Sequence, residues 1–253
     1  MWDWFINFLA NVLQHFANFA GDWGVAIIIL TVIMRLLVMP LMTKSTASSA
    51  RMQALQPKMK EIQERYADDP ERQAEEMRKF YSENKFNPLG GCLPILIQMP
   101  VFFALFTVAR DFVPSDAHFL NIIPSLSTSA ASAFGQFGIA GSWIYILFDV
   151  AFGVLTLIPM VMNFANTSEE QRQQSLIMGV VMAVMMLWFG WGVPAAVLLY
   201  YDTSAVWQVI QQKVVTQRVM DKVKAGVAAK EAAQSVKVDV VRKERKPRPH
   251  KKG

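Results

Sequence analysis

One arginine, Arg35, stands inside an otherwise apolar run, nine residues before Lys44. At 1.5 Å per helical residue it lies roughly 13 Å from the charged boundary of a layer about 30 Å thick. A guanidinium at that depth costs several kcal/mol in hydrocarbon, roughly 2.5–3.5 on insertion scales, so it must meet a counter-charge or water. The chemistry it offers is electrostatic, and two arrangements are open. Arg35 can pair with Asp202, because each lies eleven residues into its helix from the same face, counted from Gly24 and Trp191. Alternatively it faces a hydrated groove open to one side. Asp149, only six residues past Trp143, sits closer to the opposite surface.

Little else in the chain is equipped for reactions. Cys92 is the single cysteine and the histidines (His15, His118, His250) are scattered, so neither a disulfide framework nor a metal motif is expected. No glycine-rich phosphate loop, paired-carboxylate arrangement or nucleophile with a histidine partner stands out. The expectation is a protein that is not an enzyme and has no cofactor.

The elements that must position Arg35 are apolar helices. Of 253 residues, 53% are hydrophobic, and charge nearly vanishes from 24–43, 91–109, 143–165 and 175–210. Runs of this length read as bilayer spans. The expected fold is an all-α polytopic membrane protein with five transmembrane helices, at 24–43, 91–110, 143–165, 175–190 and 191–211. The last two are separated by the turn Gly190-Trp191-Gly192-Val193-Pro194. Residues 1–23 place Trp2, Phe5, Ile6, Leu9, Leu13, Phe16 and Phe19 at spacings of three and four, which predicts an interfacial amphipathic helix. Residues 44–90 predict a helical hairpin. Met52, Leu55, Met59, Ile62 and Tyr66 give its first apolar stripe, Pro57 kinks or starts that arm, and Asp69-Pro70 caps the second arm. A connector rich in Ser, Ala and Gly fills 111–142, a polar turn fills 166–174, and 212–253 is a basic tail.

Lysine and arginine set the orientation. Nine lie in 44–88, Arg172 lies in the 166–174 turn and thirteen follow from Lys213 onward, against Arg110 alone on the other side. The hairpin and tail are therefore expected in the cytoplasm, with the amino terminus and the 111–142 connector outside. No basic n-region precedes the first apolar stretch, so no cleavable signal is expected. The terminal run Arg242–Lys252 attracts polyanions, either RNA phosphates or anionic lipid headgroups, without the aromatic interleaving of base recognition. Two spans are short: Leu93–Val108 is 16 residues and Leu176–Gly190 is 15. Short helices are accommodated by local thinning of the bilayer. Methionines such as Met99, Met160, Met178 and Met182 fill a core or face lipid, or else give a surface that accepts unrelated apolar partners.

Four stretches resemble the YidC family of membrane-protein insertases, which is related to the mitochondrial and chloroplast insertases. They are Gly24 through Arg35 to Pro40, Leu55–Tyr66, Asn87–Phe103 and Val193–Gln208, the third being the most specific. The resemblance covers roughly residues 20–215. It implies five core spans and a cytoplasmic hairpin. It also implies a hydrophilic groove, closed outside, whose arginine attracts acidic residues of a client's external segment. That role falls on Arg35. Gln98 would be a polar groove residue, Met99 and Phe102 would lie near the client's path, and Asp202 departs from the family pattern at a position where it could modulate Arg35. The chain resembles the short bacterial form, placed in the plasma membrane. Nascent membrane proteins are the implied clients, with the ribosome, the Sec translocon and anionic lipids as candidate partners and no sequence-specific nucleic acid. The alternatives are a small solute transporter or channel built on an Arg35–Asp202 pair, and a ribosome tether acting through the tail.

Overall fold

The computed structural model describes residues 2–84, 93–163 and 169–239. Among them the secondary structure is helical, apart from the isolated bridges Phe119–Ile123 and Ser129–Pro194. The helices are α1 (Trp2–Ala20), α2 (Trp23–Arg65), α3 (Pro70–Glu83), α4 (Leu93–Asp111), α5 (Ala130–Asn163), α6 (Glu169–Gly190), α7 (Ala195–Gln211) and α8 (Gln217–Asp239). A π-helical turn, Gln212–Thr216, joins the last two. The chain divides into two compact units. One comprises Met1–Thr43 and Cys92–Thr216, the other Lys44–Gly91 and Gln217–Gly253.

Three described helices are long and apolar enough to cross a membrane: Trp23–Arg65, Ala130–Pro159 within α5, and Arg172–Gly190 within α6. α4 and α7 form where the other two spans are expected, with 19 and 17 residues. α2 runs 43 residues without a break at the change from apolar to charged sequence, or at Pro40 or Pro57. A helix backbone needs only its i→i−4 bonds. A switch from apolar to solvated side chains alters what covers it and not whether it continues.

The first unit is built around α5, which packs along α6 and α7, while α1 packs along α4. In α1 the residues Ile6, Leu9, Leu13 and Ala17 turn into the core, whereas Trp4 and Phe19 remain 70% and 88% exposed. Of the expected apolar face, Ile6, Leu9 and Leu13 point inward, Trp2 lies on the same stripe but is 44% exposed at the helix end, and Phe19 lies off the stripe and in the open. α5 begins inside the stretch expected to be connector and turns sharply at Gly138 (φ 61°, ψ −167°), a conformation that glycine adopts without a Cβ clash.

The segment between α4 and α5 is tied to helix ends. Asp22, 6% exposed, accepts from Val25 N–H at 2.8 Å at the start of α2 and from Leu120 N–H at 2.7 Å. Phe119 occupies the place where a Cβ on Gly24 would lie, so only glycine permits that approach. The carbonyls of Thr128 and Leu126 accept from Ala195 and Ala196 N–H, each at 2.9 Å, satisfying donors that every helix start leaves open. The Tyr145 hydroxyl accepts from Ser125 N–H and donates to Ser125 C=O, both at 3.1 Å. Ile123 and Leu126, within this segment, are fully buried.

The second unit contains α3 and α8 with the part of α2 from Lys44 onward. Asp69 caps α3 by accepting from Arg72 N–H at 3.0 Å, with Pro70 at the first helical position. Gln73 Nε2 reaches back to the Gln63 carbonyl at 2.9 Å, so the chain reverses between α2 and α3. Glu61 and Arg65 form an i,i+4 ion pair. Ser45, Ala50, Leu55 and Met220 are its buried residues among those described. The 85–92 end of the hairpin region, Cys92 and the basic run from Arg242 lie outside the described residues.

Candidate functional site

Arg35 emerges from α2 and is half-buried. Its electrostatic neighbours are Tyr200 and Tyr201, consecutive residues of α7. No carboxylate of the described residues comes within ion-pairing distance of it. A guanidinium carries five donors and is the more weakly hydrated of the two common cations. It is held between burial and solvent beside two phenol rings.

The two tyrosines connect α7 to α4. Gln98 of α4 donates through Nε2 to the Tyr200 hydroxyl at 2.8 Å, and Tyr200 is 4% exposed. A half-buried amide and a buried phenol both gain from a partner, and here each serves the other. The Tyr201 ring lies 5.2 Å from that of Tyr200, edge-on, 5.5 Å from Phe102 and 5.0 Å from Phe152 of α5. Phe102 also meets Phe106 at 6.0 Å and Phe189 of α6 at 6.3 Å. These tilted contacts stiffen the wall beside Arg35, each aromatic pair adding about 0.5–1.5 kcal/mol beyond area burial. Met99, one residue past Gln98, is 46% exposed on the outer surface of α4.

Arg35, Gln98 and Phe102 therefore converge, through Tyr200 and Tyr201. Asp202 does not join them. It is 8% exposed, both its carboxylate oxygens lack a hydrogen-bond partner, and its electrostatic neighbour is Asp149 of α5. The possible Arg35–Asp202 ion pair is absent. Equal depth in two helices says nothing about direction, and one residue along a helix turns the side chain by about 100°. Asp149 is 4% exposed, its Oδ1 is also without a partner, and that atom occupies the place where a Cβ on Gly190 would lie.

Sequence reasoning passed over Tyr200 and Tyr201 as site residues. The signal was available: Gln98 is an amide in an apolar helix, and a buried amide needs a hydroxyl or carbonyl from another element.

The fold and the sequence have known relatives. Residues 15–222 match the family model of the 60Kd inner membrane protein. The membrane protein insertase YidC of Cellvibrio japonicus is 36% identical over 220 residues, covering 86% of this chain and 37% of that protein. The YidC of Pseudomonas paraeruginosa is 33% identical over 85% of this chain and 35% of its own length. The chain thus spans little more than a third of these curated relatives. A crystal structure of the active YidC insertase, with its first transmembrane domain resolved, superposes with a TM-score of 0.61 at 29% identity. It covers 85% of this chain and 47% of that one. With its helical bundle, its membrane-length helices and the family match over most of its length, the chain belongs to the YidC family of membrane-protein insertases.

Proposed function

We propose that this chain is a multi-pass insertase of the bacterial inner membrane that moves client proteins into the bilayer past Arg35. The observation carrying this reading is a half-buried guanidinium with no carboxylate partner among the described residues, set beside Tyr200 and Tyr201. A structural arginine in an apolar bundle would be neutralised by an acid. An arginine left unneutralised is free to attract an acidic residue of a client segment.

In this reading five spans surround the site, formed by residues 24–43 of α2, α4, α5 beyond Trp143, α6 and α7. The amino terminus faces outward, with α1 along the interface and its exposed Trp4 and Phe19 in the headgroup zone. The hairpin and tail are cytoplasmic. Gln98 and Phe102 line the groove and Met99 borders the client's lipid-side path. The expected short spans Leu93–Val108 and Leu176–Gly190 fall in α4, of 19 residues, and α6, of 22, which leaves α7, of 17 residues, as the helix that thins the surrounding bilayer. A client is captured at the hairpin, its polar segment passes Arg35, and its apolar segment leaves sideways into lipid. No cofactor is needed, because a wet groove and a thinned membrane lower the barrier. The ribosome, the Sec translocon and anionic lipids are the partners that this path and the basic tail would serve.

The transporter reading depended on an Arg35–Asp202 pair. Asp202 makes no such contact, so nothing favours that reading. Reconstitution of the purified chain in liposomes tests the proposal. Wild type inserts a small single-span client with an acidic external segment, Arg35→Ala does not, and neither passes small solutes. Solute flux with no client insertion would refute it.

A further inference from the structure

The second unit, which includes the hairpin assigned above to client capture, holds a groove of about 680 Å³. One wall is the part of α2 that carries Arg51, Leu55 and Lys58, spaced four and three residues apart and so on one helical face. The opposite wall is α8, where Lys222, Gly226 and Lys230 form one line at intervals of four, with Val223 and Val227 in the adjacent line. Glu83 and Asn84, at the end of α3, close the groove. Leu55 is 4% exposed, and Val223 and Val227 are half-buried, so the floor is apolar. Four cations border it against one carboxylate, Glu83. Gly226 leaves the groove open, since nothing lies within 4 Å of where its Cβ would stand.

Each part of this arrangement restricts the occupant. The cations select an anionic one. A phosphate or an oligonucleotide would use the cations and leave the valine–leucine floor wet. A purely apolar helix would use the floor and bury the lysines without a counter-charge. A helix with apolar residues at i, i+3, i+4 and i+7 and acids on its flanks satisfies both, in the helix-in-groove mode. We propose that this groove binds an acidic amphipathic helix of a partner polypeptide, its apolar stripe on Leu55, Val223 and Val227 and its carboxylates against Arg51, Lys58, Lys222 and Lys230.

The test uses the full chain in nanodiscs of neutral lipid and a labelled helical peptide of about 18 residues, long enough to hold helix on contact. Leucines follow the helical repeat and glutamates fill most other positions. A scrambled peptide of equal composition, with no apolar stripe, serves as the control, together with a single-stranded oligonucleotide. The expected result is binding of the striped peptide at least about tenfold tighter than the scrambled one, equivalent to about 1.4 kcal/mol. Gly226→Leu fills the groove without altering charge and replaces a weak helix former with a strong one, so the fold is retained. It should weaken the striped peptide by about tenfold or more and leave the scrambled one unchanged. Lys222→Glu with Lys230→Glu should weaken binding and reduce its salt dependence. An acidic peptide also meets Arg35, so Gly226→Leu is repeated in an Arg35→Ala background, where it should still weaken the striped peptide by about tenfold. Equal affinity for the scrambled peptide, tighter binding of the oligonucleotide, or indifference to Gly226→Leu would each overturn the proposal, since the basic tail alone gives those outcomes.

Discussion

α7 presents two polar sides to the same bundle, one residue apart. Toward α2 and α4 it shows Tyr200 and Tyr201, with Gln98 on one hydroxyl and Arg35 beside both rings. Toward α5 it shows Asp202, buried near Asp149 with neither a cation nor a donor for its oxygens. The first side is hydrogen-bonded around a half-exposed charge. The second is closed and unsatisfied. Under the function proposed above, what a client can use depends on exposure and on whether protein groups have already claimed the charge.

The largest effect should come from removing the accessible charge. With an acid-bearing client, Arg35→Ala should lower the insertion rate in liposomes by about tenfold or more, equivalent to at least about 1.4 kcal/mol of barrier. Asp202→Asn should stay within about twofold of wild type, and a client with a neutral external segment should respond less to Arg35→Ala. Equal losses from the two substitutions would erase the distinction between the two sides.

The closed side should reveal itself in stability. A Cβ on Gly190 would coincide with the Asp149 carboxylate and approach the Phe152 ring to 3.2 Å. Gly190→Ala should therefore cost about 1–3 kcal/mol, seen as a lowered thermal midpoint in detergent. Adding Asp149→Ala should recover part of that loss, because the obstructing carboxyl is gone. A cost-free Gly190→Ala would mean that α5 and α6 separate easily there. Asp202→Val removes two unsatisfied buried oxygens and keeps a helix-compatible side chain. It should raise stability by about 1–2 kcal/mol with insertion retained. A loss of insertion on that change would bring Asp202 back into the mechanism.

Much of the architecture can be read from the residues, and its failures have physical causes. The apolar run after Gly24 and the Asp69-Pro70 cap lie in α2 and at the start of α3, because hydrophobic length and capping chemistry are local properties. The connector does not read as local structure. Ala130–Phe137 is a small-residue helix, and Gly138 breaks its path by a left-handed φ that composition does not announce. α1 shows the same limit, since its apolar arc is broad and packing on α4 decides that Leu9 and Leu13 go in and Phe19 stays out. At the site, counting residues gives Arg35 and Asp202 equal expected depths but leaves their directions around the helix undetermined. The direction of Tyr200 and Tyr201 is set by Gln98, Phe102 and Phe152, which come from two other helices.

The smallest expected effect tests whether the open side depends on that cross-helix bond. Gln98→Leu removes the donor to Tyr200 and leaves a 4% exposed hydroxyl without its partner. The cost should be about 1 kcal/mol of stability, with insertion reduced less than by Arg35→Ala. Tyr200→Phe alone leaves the Gln98 amide unpaired at a similar cost. In the double variant both polar ends are gone, so its loss should be smaller than the two single losses combined, a coupling that thermal unfolding of all four proteins measures directly. Strict additivity would mean that Gln98 and Tyr200 stand independently. The wall beside Arg35 would then be held by the contacts of Tyr201 with Phe102 and Phe152 alone.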